Sequence, residues 1–196
     1  MNYVFDFLTA LLLVATVQNV VLTGGYGSSE ALRMASRPKG LVLLSCCISA
    51  FSVALSVICF FLEGVPYIKG MSYPHHVLIY VGVLFVLYIA VCLVMKIFKA
   101  QKSVLTLVGI SAINTLVLAV PLINYRSGFS LPEVLGVSLG AGIAFSVTVM
   151  LLKLGTDSLK NNPDIPEAFK GAPAMFIYTA LLALGLCALS NNAVGI

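Results

Sequence analysis

The chain has 196 residues, 60% of them hydrophobic and 9% charged, with a net charge of +4 and a mean hydropathy of +1.08. Soluble domains carry about 25% charged residues, so 11 Lys and Arg with 7 Asp and Glu are too few to clothe a globule in water. A soluble enzyme, a nucleic-acid-binding module and a disordered segment are excluded. A bilayer crossing takes roughly 20 mostly apolar residues, so the length accommodates about six passes in one membrane domain, 1–196.

The apolar runs, in chain order, are Val4–Leu22, Gly40–Leu62, Val77–Met95, Val104–Asn124, Leu131–Leu152 and Ala172–Ser190. They are continuously apolar and not alternating, which predicts helices and not barrel strands. The first run lacks a basic leader and a small-residue cleavage site and is expected to be a spanning helix, not a removed signal. Asp6, close to the start, is expected at the interface. Ser130-Leu131-Pro132-Glu133 has the form of a capping box with proline just inside the helix. Asp164-Ile165-Pro166-Glu167 repeats that form and predicts a short interfacial turn before Gly171 and Pro173 open the last span.

The basic residues carry the orientation. The first, third and fifth loops hold Arg33, Arg37 and Lys39, then Lys96, Lys99 and Lys102, then Lys153, Lys160 and Lys170. Only Lys69 and Arg126 fall in the even loops. The positive-inside rule places the odd loops in the cytoplasm and both termini outside, in a multi-pass protein of the plasma membrane.

The spans also repeat. Asn19-Val20-Val21-Leu22 pairs with Asn114-Thr115-Leu116-Val117-Leu118, and Ala50-Phe51-Ser52 pairs with Ala144-Phe145-Ser146. Ile79-Tyr80 and Cys92 pair with Ile177-Tyr178 and Cys187. Offsets of 95 and 94 in the first two pairs predict a duplication, residues 1–98 and 99–196. With three spans per copy, the second copy enters the membrane upside down, the inverted-repeat plan of many transport proteins. In that plan the functional pointer is a pair of interrupted helices. Gln18 and Asn19 precede Gly24 and Gly25 in the first span; Ser111, Asn114 and Thr115 precede Pro121 in the fourth. Both helices are expected to break near the midplane and to form a small-ligand site from Asn19, Gly24, Gly25, Asn114, Thr115 and Pro121. The alternative is that the two asparagines only tie helices together.

Other residues have plainer readings. Cys46, Cys47, Cys59, Cys92 and Cys187 lie in apolar segments, as small fillers do. His75 and His76, after Tyr73-Pro74, are expected at the outer interface, with Tyr3, Tyr67, Tyr73 and Tyr125 as interfacial anchors. Gly136, Gly140 and Gly142 allow close helix approach, within the chain or to a partner. No catalytic or metal-spaced set appears.

These phrases resemble the Rnf/NQR membrane subunits, specifically the RnfA/NqrE type. Val17-Gln18-Asn19-Val20-Val21-Leu22 is similar to the family's first-helix phrase, and Gly109-Ile110 through Leu118 to its fourth. Leu135 through Ser146 resembles its glycine-rich fifth helix, and Ile165 through Gly171 the stretch before its last. The resemblance implies a six-helix subunit of an ion-translocating oxidoreductase, paired with an oppositely oriented homologue. It also implies one cysteine after the first break and one after the fourth-helix asparagine of each subunit, together holding a [2Fe–2S] cluster through thiolates. This chain has Ser29 and Thr115 at or beside those positions, so no cofactor is expected from it and it reads as a diverged member lacking the cluster ligands. The expected role is a membrane subunit of such a complex. The alternatives are a stand-alone inverted-repeat transporter or channel-like protein for a small ion or solute, and a homodimeric structural paralogue. In each case the partners are lipid and another membrane chain, not nucleic acid.

Overall fold

The structure is a computed structural model that describes residues 2–36, 39–160 and 162–193. Arg37, one of the loop cations used for orientation, lies outside them. Among the described residues all regular structure is helical: α1 (Tyr3–Ala15), α2 (Val20–Thr23), α3 (Ser28–Ser36), α4 (Leu41–Glu63), α5 (Pro66–Lys69), α6 (Tyr73–Ile97), α7 (Lys102–Ala112), α8 (Thr115–Ser127), α9 (Leu131–Lys160) and α10 (Ala172–Ala193).

Among the described residues five segments are long and apolar enough to cross a membrane: α4, α6, α7 with α8, α9, and Ala172–Ser190 within α10. The chain is a multi-pass membrane protein. The first apolar run is divided. α1 has 13 residues, about 20 Å of helix at 1.5 Å per residue, which falls short of a hydrocarbon core of about 30 Å. The helix lapses after Ala15 and Asn19 restarts it: its side-chain oxygen accepts from the amides of Val21, at 3.0 Å, and Leu22, at 3.3 Å, and starts α2. At the other end of the scale, α9 runs 30 residues, well beyond the predicted Leu131–Leu152, and carries Lys153, Asp157 and Lys160 out on its last turns.

The centre of the molecule is α9 against α4. α9 also lies on α1, α2, α3, α8 and α10; α4 also lies on α5, α6, α7 and α8. α6 reaches α7 and α8, and α10 reaches α2. The buried core follows this plan, with Leu44, Ile48, Phe51 and Leu55 from α4 meeting Val137, Ala141, Phe145 and Val149 from α9.

Glycine sets how close these helices come. A Cβ at Gly140 would lie 2.8 Å from the Leu11 carbonyl of α1, whereas one at Gly142, on the other side of α9, would strike Ser49 and lie 2.9 Å from the Ser45 carbonyl of α4. The small-residue stripe of the fifth span is therefore used within the chain, on two neighbours at once.

Two expected terminal motifs take different forms. Ser130 and Glu133 do close a box, the Ser130 amide and hydroxyl both donating to Glu133 Oε2 at 2.8 and 2.7 Å. The Asp164 segment instead holds an Asx turn, its amide donating to Asn162 Oδ1 at 2.9 Å, followed by a single 3-10 turn at Glu167–Phe169.

Candidate functional site

Both sequence-predicted asparagines stand at helix starts, Asn19 before α2 and Asn114 before α8. Their surroundings differ. Asn19 is 1% exposed, and its amide nitrogen donates to the Ala144 carbonyl of α9 at 3.1 Å while its oxygen also accepts from Thr148 at 3.2 Å. Every arm of this side chain is engaged, so it fastens α2 to α9. Asn114 is 7% exposed. Its oxygen accepts from the Leu116 amide at 2.9 Å, but its amide nitrogen is buried without a partner.

The turn between α2 and α3 is built on glycine. Gly25 and Gly27 have φ of 71° and 75°, a region that side chains with a Cβ rarely enter. A Cβ on Gly24 would lie 2.6 Å from the Tyr26 ring. This turn brings the chain onto the break of the fourth span. The Gly27 amide donates to Thr115 Oγ1 at 2.9 Å, and a Cβ on Gly27 would lie 2.8 Å from Asn114 Oδ1. Residues 88 apart in sequence thus meet backbone to side chain.

Beside this junction is an open recess of about 640 Å³ whose lining includes Gly27, Ser29, Glu30, Tyr88, Asn114 and Thr115. The face of α7 from Leu105 to Ile113 completes it. Of the sequence-predicted residues, Ser29, Asn114 and Thr115 come together here; Asn19, Gly24, Gly25 and Pro121 are not on its wall. Pro121 does not break its helix. Asn114 has already restarted the chain, and α8 runs through Pro121 to Ser127, the missing N–H leaving only the Val117 carbonyl without its helical donor.

The donors in the recess are hydroxyls, an amide and one carboxylate. Glu30 is paired with Arg33 one turn along α3. None of the five cysteines lines the recess, and among the described residues no group of three His, Cys, Asp or Glu is placed to hold a metal. A [2Fe–2S] cluster is held by thiolates, and serine and threonine hydroxyls do not ionise at neutral pH. The donor set does not fit such a cluster. It fits hydrogen bonding to a polar solute or weak coordination of an alkali cation.

Two features were not legible in the sequence. His76 packs inside the protein: α6 begins at Tyr73, with Pro74 in its first turn, and turns His76 inward. There it is fully buried, stacks on Tyr125 at 4.3 Å and meets Tyr80 edge-on at 6.2 Å. Asp6 lines a cleft of about 250 Å³ with Gln18 and Glu133, and one of its oxygens is buried without a partner.

No family model matches the chain. Over 80 residues it is 30% identical to one of the subunits of the proton-translocating ferredoxin:NAD(+) oxidoreductase complex of Clostridium ljungdahlii. The match covers 41% of this chain and 41% of that relative.

Proposed function

We propose that this chain is a membrane subunit of an ion-translocating oxidoreductase assembly of the Rnf/NQR type, a diverged member that holds no [2Fe–2S] cluster of its own. Its six crossings form two inverted three-helix repeats with both termini on the outer side of the plasma membrane. It pairs with an oppositely oriented homologue or with a second copy of itself.

The observation that carries this reading is the junction of Gly27 with Thr115. It places Ser29 and Thr115, the two positions where the resemblance implies ligands, on the wall of one recess. This supports a reading in which the site's architecture is kept and its ligand chemistry has changed. The packing plan supports the repeat. Exchange of α1 and α2 with α7 and α8, of α4 with α9, and of α6 with α10 carries most of the helix contacts into one another: α1 on α9 becomes α7 on α4, and α10 on α2 becomes α6 on α8. The partial match to a component of a proton-translocating complex supports the assembly.

A second reading, a stand-alone transporter or channel-like protein, is favoured by the recess itself. Its size suits a small solute, and Ser29, Asn114 and Thr115 on its wall give it polar side chains to orient one. Purification from native membranes under mild detergent separates the two. Recovery with flavin- or iron–sulfur-bearing subunits, while the chain expressed alone shows no visible-range absorbance, is the expected result. Recovery as a lone homodimer without visible-range absorbance overturns the complex and leaves a stand-alone transporter or a structural homodimer.

A further inference from the structure

A groove of about 690 Å³ lies between the end of α6 and the start of α7. Tyr88, Ile89 and Leu93 of α6 and Leu105 of α7 are on its wall, and it ends on Lys96 and Lys99. It adjoins the recess at Thr115 through Tyr88 and Leu105. Where that recess offers hydroxyls and an amide, this groove offers two cations.

The end of α6 sets both lysines on one rim. The Lys99 amide donates to the Lys96 carbonyl at 3.1 Å and the Ala100 amide to the Met95 carbonyl at 3.0 Å, the paired bonds of a Schellman turn. The left-handed position of such a turn is usually glycine. Here it is Lys99, with φ of 51°, the one non-glycine residue of positive φ among the described residues. α6 has 25 residues, about 37 Å of helix at 1.5 Å per residue, against a hydrocarbon core of about 30 Å. Its last turn therefore reaches the level of the lipid headgroups, with Ile97 and Phe98 beside the lysines 76% and 80% exposed.

We propose that this groove binds an anionic phospholipid, its phosphate held between Lys96 and Lys99 and one acyl chain laid along Ile89, Leu93 and Leu105. Charge complementarity selects the headgroup. The wall carries no carboxylate, and among the described residues neither lysine has an acidic partner, so the two cations are left for an outside anion. The apolar wall leading away from them selects a lipid, since a soluble anion gains nothing from it. His76 and Tyr80 are the buried residues of α6, so the rest of that helix is open for a chain to enter sideways from the bilayer. The site stands on its own groups, whether the protein works within a complex or alone.

The test uses the absence of tryptophan from the sequence. Leu93→Trp, at an exposed position on the wall, gives the full chain a single fluorophore. The protein is placed in vesicles of equal parts phosphatidylcholine and phosphatidylglycerol, with bromine on the acyl chains of one lipid or the other as a contact quencher. Brominated phosphatidylglycerol is expected to quench about twofold more than brominated phosphatidylcholine. Lys96→Gln with Lys99→Gln equalises the two, whereas Lys153→Gln with Lys160→Gln, the same loss of charge away from the groove, keeps the preference. Added inorganic phosphate leaves it unchanged. Ile89→Trp repeats the measurement from the same wall should Leu93→Trp fail to fold. Equal quenching in the parent, a preference that survives loss of Lys96 and Lys99, or one lost equally with Lys153 and Lys160 overturns the site. So does abolition by phosphate, which assigns the lysines to a soluble anion, and so does the lack of quenching by either lipid, which means that another protein chain covers the groove.

Discussion

Asn19 and Asn114 occupy the same place in their sequence phrases, and each caps a helix with its side-chain oxygen. What separates them is the neighbour. Asn19 meets the Ala144 carbonyl and the Thr148 hydroxyl of α9, whereas the Asn114 nitrogen meets no protein group. Replacement of Asn19 by alanine removes a cap and strands two buried partners, with an expected loss of about 2–4 kcal/mol. The same change at Asn114 removes the cap alone, about 1 kcal/mol. Denaturation of the two variants in nanodiscs measures the difference, and equal losses contradict the division of labour between an asparagine that fastens a second helix and one that only caps its own. The sequence marks both positions as breaks because a polar amide beside glycines has few other uses in an apolar run. It does not mark which of the two is occupied, since that depends on a helix more than a hundred residues away.

At the scale of elements, the helical character of the apolar runs was legible, because an apolar run that must satisfy its own backbone has no choice but helix; the division of the first run and the length of α9 were not. The failures have local causes. Pro121 looks like a breaker in isolation, but it follows a helix start at Asn114 closely enough for α8 to absorb one lost hydrogen bond. His76 looks like a loop residue because α6 begins before its apolar stretch does. The glycines of α9 were visible as small residues, but only the fold assigns Gly140 to α1 and Gly142 to α4. Gly142→Leu is therefore expected to push α4 off α9 and to cost about 3 kcal/mol. Gly82→Ala is its control: the position is exposed and a Cβ there meets nothing within 4 Å, so the change is expected to stabilise α6 by about 0.5–1 kcal/mol. Folded yield and Tm in one detergent compare them. A tolerated Gly142→Leu would mean that the two central helices are not in close contact.

For the whole molecule, charge and hydropathy settle what kind of protein this is, and little of its chemistry. With 9% charged residues, the interior works with amides, hydroxyls and backbone carbonyls, and the structure gathers several of these in the recess beside the Gly27 turn. Asn114 and Thr115 are marked in the sequence by the expected break of the fourth span, whereas Ser29 draws notice only through a family resemblance. They converge because the turn at Gly27 brings the start of α3 to the start of α8.

That the two halves meet so that residues 29 and 115 face one recess is the claim on which the proposed function rests. A direct measurement is metal bridging in membranes, using Ser29→Cys and Thr115→Cys in a background without the five native cysteines. With both thiols present, cadmium is expected to protect them from maleimide labelling at concentrations that leave each single variant fully labelled. Labelling of the double variant at the rate of the singles would contradict a shared site.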